Sequence, residues 1–467
     1  MSAMDAEAPA AGTRMKPPRI VILGGGFGGL AAAIELERTL ARQGRAEVTL
    51  VNRDNFHLFT PMLHEVAASD LDLTHIVNPI RKLLKRVQLF VGHVERIDLD
   101  HRRVVVSHGD DGHRHELAYD HLVVALGSIT HLATPGPEGH TLTMKTLGDA
   151  IHLRNHVIER LEEADFECAA EAREPLLTVV VAGGGFAGVE TLAAVNDFAR
   201  DALPFYSRLE ERQLRMVLVH SGPTVLPELG EKLGRYAERK LARRGVEVRT
   251  GTRIVAVGPN EVALSDGTSI RTGTLVWTAG MAPNPLLSDL PCGRERGRIV
   301  VDPTLAVPGW PGVWALGDCA LVPDVKGGFC PPTAQHALRQ GKLAAHNIAA
   351  ALAGRTGERF VFSTLGQLAA IGKRTGVARI LGVNFSGFAA WWLWRTVYLA
   401  KLPRFEKKVR VMLDWTLDLM FSKDLVQFTT HRAPSLSHDA SAALKTTAAG
   451  PRGSEPRPAE SEPAAVP

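Results

Sequence analysis

Short apolar runs and longer helical stretches alternate along the chain, and the first of them form a repeating unit. Residues Arg19–Leu23 (RIVIL) are a short, mostly apolar run, which predicts a buried strand. A glycine-rich turn and the helical stretch LAAAIELERTL follow, and Val48–Val51 (VTLV) predicts the next strand. Strand, turn, helix and strand in this order make a βαβ unit of the kind found in open parallel sheets.

The same pattern returns later in the chain. Leu176–Ala182 (LLTVVVA) predicts a strand, a second glycine-rich turn follows it, and VETLAAVNDFAR predicts a helix. Met216–Val219 (MVLV) predicts the strand that closes this unit. The repeat predicts an α/β fold with two Rossmann-like dinucleotide-binding domains.

Glycines in the spacing GxGxxG open the helix of each unit. The first glycine allows the tight turn, the second lets a pyrophosphate approach the backbone, and the third lets helix and strand pack closely. The pyrophosphate then sits on the N-terminus of the helix. The candidate cofactor-binding residues are Gly24, Gly26, Phe27, Gly28 and Gly29 in the first turn and Gly183, Gly185, Phe186 and Gly188 in the second. Two complete units predict two bound dinucleotides, and electron transfer between them is the simplest purpose of such a pair.

The residue at the end of the second strand of each unit bears on which nucleotide is bound. This residue usually contacts the adenosine ribose and is usually acidic. Here it is Asn52 in the first unit and His220 in the second. Asn52 can still hydrogen-bond a ribose hydroxyl. With His220 in this place there is no carboxylate to repel a 2′-phosphate, so the sequence allows either NADH or NADPH as the second nucleotide.

Charge and cysteine usage narrow the class of partner. The 467 residues include 54 lysines and arginines and 50 aspartates and glutamates, which gives a net charge of +4. Nucleic-acid-binding proteins usually have a broad basic excess, so nucleic acid is not expected as a partner. The cysteines are Cys168, Cys292, Cys319 and Cys330. Their spacing predicts neither a disulfide framework nor a zinc site. The N-terminus has no apolar segment of the secretory type, which predicts a cytoplasmic location.

Later stretches carry a family resemblance. They are Tyr119–Ser128 (YDHLVVALGS), Thr274–Pro285 (TLVWTAGMAPNP) and Pro311–Ala320 (PGVWALGDCA). Together with the glycine units, they resemble the FAD-dependent pyridine nucleotide oxidoreductases over about residues 18–350. The resemblance implies that the first unit binds FAD, that the second binds NAD(P)H, and that Asp318 hydrogen-bonds the flavin ribityl chain. It also implies cofactor contacts for Ala125, Gly127, Ala279, Gly280 and Gly317.

The region after the second strand indicates the branch of this family. Disulfide reductases carry a redox cysteine pair early in the FAD domain, whereas NRDNFHLFTPMLHEVAASDLD contains no cysteine. The segments HLFTPMLHEVA, NPIRKLLK, PPTAQHALRQG and SGFAAWWLW resemble the type II NADH dehydrogenases, over about residues 18–430. Enzymes of that family pass two electrons from NADH through FAD to a membrane quinone without pumping protons.

The resemblance also implies roles for single residues. Glu190, just after Gly188, matches a family glutamate close to the nicotinamide and the flavin, and we expect it to be catalytic. Ala334 and Gln335 match an element beside the flavin ring and the quinone entrance, with Gln335 as the second catalytic candidate. Arg339 stands where quinone-reducing relatives commonly have glutamine, so the chain departs from the family pattern there.

The C-terminal region has the features of a membrane-attachment segment. An uncharged run between Arg379 and Arg395 is shorter than the roughly 20 residues that a spanning helix needs. Aromatic residues typical of membrane interfaces, cations suited to anionic headgroups and helically spaced apolar residues follow one another. They are Trp391, Trp392, Trp394 and Tyr398, then Lys401, Arg404, Lys407, Lys408 and Arg410, and then Met412, Leu413, Leu417, Met420 and Phe421. The pattern predicts an amphipathic segment lying in the interface, with a core or dimer helix as the alternative.

The domain order follows from these patterns. The predicted segments are a disordered N-terminus (1–17), the first part of the FAD-binding domain (18–145), the NAD(P)H-binding domain (175–290), the second part of the FAD-binding domain (295–350), the C-terminal membrane-attachment region (360–432) and a disordered tail (433–467). The NAD(P)H-binding domain is thus expected to be inserted between the two parts of the FAD-binding domain.

The predicted function is that of a peripheral NADH:quinone oxidoreductase on the cytoplasmic side of the cell membrane. Its expected partners are NADH, a membrane quinone and the membrane surface, and a homodimer is left open. Three alternatives remain. A sulfide:quinone oxidoreductase needs two cysteines flanking the flavin, for which Cys168 and Cys330 are the candidates. The other two alternatives are a reductase of a soluble acceptor and an NADH-binding redox sensor without significant turnover.

Overall fold

Two five-stranded parallel sheets form the centre of the fold, one for each glycine-rich unit. They are seen in a computed structural model that describes residues 16–109, 112–134, 136 and 140–428. The predicted tail at 433–467 and most of the predicted disordered N-terminus lie outside these residues.

The strands are β1 (Arg19–Leu23), β2 (Glu47–Asn52), β3 (Phe56–Leu58), β4 (Val77–Pro79), β5 (Gln88–Val91), β6 (His93–Asp98), β7 (Arg103–His108), β8 (His113–Ala118), β9 (His121–Val124), β10 (Ser128–Thr130), β11 (Thr141–Thr143), β12 (Thr178–Ala182), β13 (Arg215–Val219), β14 (Val246–Arg249), β15 (Ile254–Val257), β16 (Glu261–Leu264), β17 (Ser269–Arg271), β18 (Thr274–Trp277), β19 (Met281–Pro283), β20 (Arg294–Glu295), β21 (Arg298–Val300), β22 (Val313–Ala315), β23 (Ala320–Leu321), β24 (Gly366–Ala370), β25 (Gly376–Ile380) and β26 (Val383–Gly387). The α-helices are α1 (Phe27–Thr39), α2 (Leu63–Ala67), α3 (Ile80–Leu83), α4 (Leu147–Phe166), α5 (Ala170–Leu176), α6 (Phe186–Ala202), α7 (Glu231–Ala242), α8 (Ala334–Leu352), α9 (Phe388–Lys401) and α10 (Phe405–Leu417).

The first sheet is completed by a strand from far along the chain. Its order is β22-β9-β1-β2-β5, with parallel pairing throughout. Strand β22 follows the whole second sheet in sequence, so the second unit is inserted into the first. The glycine turn joins β1 to α1, which places it at the carboxyl end of the sheet, where open α/β folds bind ligands.

The second sheet has the order β11-β18-β12-β13-β14 and is also parallel. Strand β11 belongs to this sheet although it falls inside the range predicted for the first part of the FAD-binding domain (18–145). The chain therefore enters the second domain before that predicted boundary. The predicted α/β class with two Rossmann-like sheets is confirmed.

Helix α8 ties the end of the first domain to its beginning. It crosses α1 at backbone contact, because a β-carbon added at Gly341 would lie 2.1 Å from the carbonyl oxygen of Gly28. Glycines at the crossing point let the two helices approach this closely. The crossing places the residues of α8 beside the first glycine turn.

The C-terminal region contributes to the main core rather than lying on it. A three-stranded antiparallel sheet, β24-β25-β26, leads into α9 and α10. Trp394 and Trp415 are buried in the same apolar cluster as Leu192 of α6. Trp394 is 0% exposed, so its prediction as an interface aromatic is wrong, and Tyr398 is only partly exposed and packs edge-on against it at 4.9 Å between ring centres. The indole of Trp394 packs in this cluster, and its N–H donates a hydrogen bond to Glu190 of α6.

One of the cations predicted to meet headgroups is also buried. Lys407 is 6% exposed and donates a hydrogen bond to the carbonyl oxygen of Thr74 at 2.6 Å. The prediction for Lys407 is therefore wrong: the buried face of α10, with Val411 and Trp415, carries it inward. Among the described residues, no helix has both the length and the apolar character needed to cross a bilayer.

Candidate functional site

The first glycine turn leaves an open N-terminus on α1. Gly24 has a φ of +101°, and a β-carbon there would lie 2.4 Å from the carbonyl oxygen of Ala125. A β-carbon at Gly29 would lie 1.8 Å from the carbonyl oxygen of Gly24. At Gly26, by contrast, a β-carbon would meet no atom within 4 Å, and no side chain caps the helix. Free space in front of unpartnered backbone amides fits the pyrophosphate of a dinucleotide.

The second turn repeats this geometry at α6. Gly183 has a φ of +115°, and a β-carbon there would lie 2.7 Å from the Thr278 hydroxyl. A β-carbon at Gly188 would lie 1.8 Å from the carbonyl oxygen of Gly183. Gly185 faces open space, and α6 has no side-chain cap. The residues of this turn therefore fit a second dinucleotide in the same way.

The two predicted ribose-contacting residues both brace their own turns. Asn52 accepts a hydrogen bond from the Gly25 amide at 2.7 Å and donates one to the carbonyl oxygen of Asp54 at 2.7 Å. His220 accepts one from the Gly184 amide through Nδ1 at 3.2 Å. The His220 Nε2 is buried and has no hydrogen-bond partner among the described residues. In the second turn one polar atom thus remains for a ligand, whereas the oxygen and nitrogen of Asn52 are both engaged within the chain.

The loop after β22 places Asp318, which was predicted to contact the flavin, beside Ser128 and Lys145, which were not predicted. The Ser128 hydroxyl donates a hydrogen bond to the Asp318 carboxylate at 2.8 Å, and the Lys145 amine lies 3.4 Å from that hydroxyl. Burial lowers the pKa of Lys145, and the Asp318 carboxylate acts in the opposite direction. The Gly317 amide donates to the Gln340 side chain at 2.8 Å, which fixes this loop on α8. The arrangement gives Asp318 a positioned carboxylate with a cation nearby.

The other predicted contacts fall on loops and on the start of α8. Ala125 and Gly127 lie after β9, Ala279 and Gly280 lie after β18, Phe27 and Phe186 begin α1 and α6, and Ala334 begins α8. Gln335 donates a hydrogen bond to the carbonyl oxygen of Gly366 at 2.9 Å, and its oxygen accepts one from the Leu365 amide at 3.3 Å. Both polar atoms of Gln335 therefore hold the backbone at the start of β24. Arg339 stacks over the Phe362 ring at 3.9 Å, a partner that explains an arginine at this position.

Glu190 is a buried carboxyl where α6 meets the C-terminal region. Only 8% of its surface is exposed. One carboxyl oxygen accepts hydrogen bonds from the Ala370 amide and from the Trp394 indole, each at 3.0 Å. Burial raises its pKa to about 8, with both hydrogen bonds acting in the opposite direction. A carboxyl with this pKa is mostly protonated at neutral pH and can exchange a proton near that pH.

A cavity of about 220 Å³ adjoins Glu190 and is lined by residues that the sequence pattern had not indicated. Its ionisable lining residues are His64, Glu65, Asp70, Glu190, Asp197, Lys373, Arg374, Arg395 and Asp418. Nδ1 of His64 lies 3.9 Å from the second carboxyl oxygen of Glu190, and burial lowers the pKa of His64 to about 3. Burial also raises the pKa of Glu65 to about 8, and Glu65 accepts a hydrogen bond from the Trp415 indole at 3.2 Å. A histidine and a glutamate inside the otherwise apolar helix α2 were the signal for this cluster.

Arg395 closes the same cavity. Its guanidinium group lies between two indole rings, 4.1 Å from the centre of Trp391 and 4.5 Å from that of Trp415. Burial lowers its pKa, and the carboxyl of Glu65 acts in the opposite direction. The predicted interface aromatic Trp391 therefore packs on this arginine.

Comparison with known proteins agrees with the fold. The sequence matches the family described as pyridine nucleotide-disulphide oxidoreductase over residues 18–341, and the NDH2 C-terminal domain over residues 365–424. A type II NADH:quinone oxidoreductase (Ndh) of Mycobacterium tuberculosis is 34% identical over 434 residues, covering 87% of this chain and 90% of the relative. The chain belongs to the type II NADH:quinone oxidoreductase family.

Further relatives and solved structures share the sequence pattern or the fold. A demethylphylloquinone reductase (NdbB) of Synechocystis is 33% identical, covering 85% of this chain and 95% of the relative. The structure of NDH2 from Plasmodium falciparum in complex with NADH has a TM-score of 0.82 at 18% identity, covering 88% of this chain and 99% of that chain. A sulfide:quinone oxidoreductase of Aquifex aeolicus has a TM-score of 0.65 at 16% identity, covering 89% of this chain and 100% of that chain. The family predicted from the motifs is confirmed.

Proposed function

We propose that the protein binds FAD and NADH and transfers two electrons from NADH to a membrane quinone without pumping protons. The observation that carries this proposal is the pair of open glycine turns, each at an uncapped helix N-terminus. Two dinucleotide sites in one chain suit electron transfer between two cofactors. The Mycobacterium and Synechocystis relatives are named as reductases of quinones, and for this reason we propose a quinone as the electron acceptor. FAD held at the first glycine turn would supply the two-electron redox chemistry between NADH and the quinone.

Glu190 is the proposed proton-handling residue. Reduction of a quinone to a quinol by NADH consumes one proton from the surroundings. A carboxyl with a pKa of about 8 holds that proton at neutral pH, and the adjoining cavity gives it room to exchange. For Gln335 we propose a positioning role, because both of its polar atoms are bound to the backbone at the start of β24.

The exposed side chains of the C-terminal region support the proposed peripheral attachment to a membrane surface. Its exposed large apolar side chains include Leu381, Val383, Phe388, Trp392, Phe405, Met412, Leu413, Leu417, Leu419, Met420 and Phe421. Monomeric soluble proteins rarely expose large contiguous apolar patches. Lys401 and Arg410 are exposed in the same region and can meet anionic headgroups. A homodimer that covers these residues is the alternative occupant.

Substitutions on this surface test the membrane proposal better than truncation, because residues such as Trp394 belong to the core. In liposome flotation, Phe405→Ser combined with Leu413→Ser and Leu417→Ser should reduce binding to anionic vesicles. Phe166→Ser is the matched control, since Phe166 is 70% exposed on α4. A triple variant that floats like the unmodified protein would contradict this surface. A protein that does not float but dissociates into monomers when substituted would favour the homodimer.

A second measurement separates the enzyme from its rivals. Steady-state quinone reduction by NADH, with the flavin spectrum recorded, distinguishes turnover from sensing. A flavin that NADH reduces but no quinone reoxidises would favour a sensor or a soluble acceptor. The sulfide alternative is disfavoured, because burial raises the pKa of the Cys330 thiol to about 11 and leaves little of the thiolate that attacks sulfur.

A further inference from the structure

Three histidines meet on the hairpin formed by β7 and β8. They are His108, His113 and His115, and each offers a ring nitrogen within 4.8 Å of those of the other two. His108 is paired with His113 across the hairpin, and His115 lies two residues further along β8. Side chains alternate between the faces of a strand, so this register puts all three imidazoles on one face.

The rings are already in contact. The His108 and His115 rings are stacked with centres 4.9 Å apart, and His113 meets His115 edge-on at 4.7 Å. Phe90 of β5 packs against His108 at 5.8 Å and against His115 at 5.4 Å. Phe90 thus holds the His108 and His115 rings next to each other, although His108 and His113 are exposed.

The spacing of the nitrogen atoms suits a common metal ion. Nε2 of His108 and Nε2 of His115 are 2.8 Å apart. A zinc ion binds imidazole nitrogen at about 2.0–2.1 Å, which places tetrahedral ligands about 3.3 Å apart. Small rotations of the two rings would open the pair by that difference. Imidazole suits zinc, copper and nickel, and three such ligands leave a fourth position for water.

We propose that His108, His113 and His115 form a binding site for a divalent transition-metal ion of the zinc type. The site lies on the outer hairpin of the first domain, and none of its residues belongs to either glycine turn. The bound ion would join β7 to β8 and stabilise the hairpin. The cysteine spacing could not indicate such a site, because its ligands are histidines paired across two strands.

The test uses the FAD-loaded full-length protein after removal of metal with a chelator. Titration with zinc chloride in a calorimeter should show one equivalent bound. His108→Gln and His113→Gln should each weaken binding by at least about tenfold, as expected when a metal site loses a ligand or its support. Because the ion binds the folded hairpin, zinc should raise the melting temperature of the unmodified protein and not that of the variants.

His93→Gln is the matched control. His93 is exposed in the same sheet, but it is paired with Ser107, whose side chain points to the face opposite His108. This variant should bind zinc as the unmodified protein does. Absence of stoichiometric binding in the unmodified protein would overturn the proposal. Unchanged affinity in both cluster variants would also overturn it, since the ion would then be held elsewhere.

Discussion

The two glycine turns differ at one position, GGGFGG against GGGFAG. The structure relates this difference to what packs on each turn. Gly28 of the first turn is buried under α8, and a β-carbon there would lie 2.3 Å from the Leu316 side chain and 3.3 Å from the carbonyl oxygen of Ala337. Ala187 takes the matching place in the second turn and is exposed. A side chain at Gly28 would therefore have to displace the Leu316 side chain and press on the backbone of α8, whereas one at the matching place in the second turn meets solvent.

Two residues after the last glycine of each turn, the two helices differ in whether the side chain can titrate. Ala31 stands there in α1, and Glu190 stands there in α6. Helix α8 covers the first helix, whereas β24 and α9 cover the second and supply Glu190 with two hydrogen-bond donors. Two similar turns thus open two helices with different surroundings, and at this position only the helix of the second domain carries a buried titratable group.

Among substitutions that distinguish the two turns, Gly26→Val should have the largest effect, which is the loss of FAD. The free space in front of Gly26 is where a pyrophosphate approaches the backbone, and a valine side chain would fill it. The flavin absorbance per protein after purification measures the effect. If the variant keeps stoichiometric FAD, the first turn has been assigned to the wrong cofactor.

Gly185→Val should leave FAD in place and abolish reduction of the flavin by NADH. The substitution blocks only the second turn, whose geometry repeats that of the first. Anaerobic mixing with NADH measures flavin reduction, and dithionite should still reduce the flavin in the variant. Loss of FAD here, with retention in Gly26→Val, would mean that the order of the two cofactors is reversed.

Glu190→Gln should change how stability depends on pH. The pKa of Glu190 is about 8 in the folded protein against 4.5 for an ordinary glutamate, so the unfolded chain loses this proton first. The free energy of unfolding should therefore fall as pH rises from 4.5 to 8, by up to about 1.4 kcal/mol per pH unit for this group. Glutamine removes that slope, and Glu65, whose pKa is also raised to about 8, leaves a second one.

Denaturant unfolding at several pH values measures this slope. Exposed Glu171 supplies the control, since Glu171→Gln should leave the dependence unchanged. An identical slope in Glu190→Gln would mean that Glu190 is ionised in the folded protein. Quinone reduction measured on the same samples would show whether loss of the proton also slows turnover.

The local sequence pattern predicted the turns and strands. It could not predict which C-terminal side chains are buried, because that depends on contacts between residues far apart in sequence. The predicted strand Val48–Val51 lies within β2 (Glu47–Asn52), because a continuous apolar run after a helix has few other interpretations. The buried Trp394 indole donates its hydrogen bond to Glu190, which lies 204 residues away in sequence. A tryptophan beside cations looks the same in sequence whether it meets lipid or a buried carboxyl.

The smallest effect is expected from substituting the residues that were predicted to contact the ribose, His220 and Asn52. His220→Glu adds a carboxylate that can accept from a ribose 2′-hydroxyl and that repels a 2′-phosphate. Repulsion of about 1 kcal/mol, the value for unit charges about 4 Å apart in water, would raise the NADH over NADPH ratio of kcat/KM about fivefold. Asn52→Asp is the matched control, because its carboxylate can keep the hydrogen bond from the Gly25 amide and FAD has no 2′-phosphate. The ratio should stay constant in Asn52→Asp. If it moves there instead, the first turn faces the nicotinamide nucleotide, and if it moves in neither variant, the His220 side chain serves only to brace Gly184.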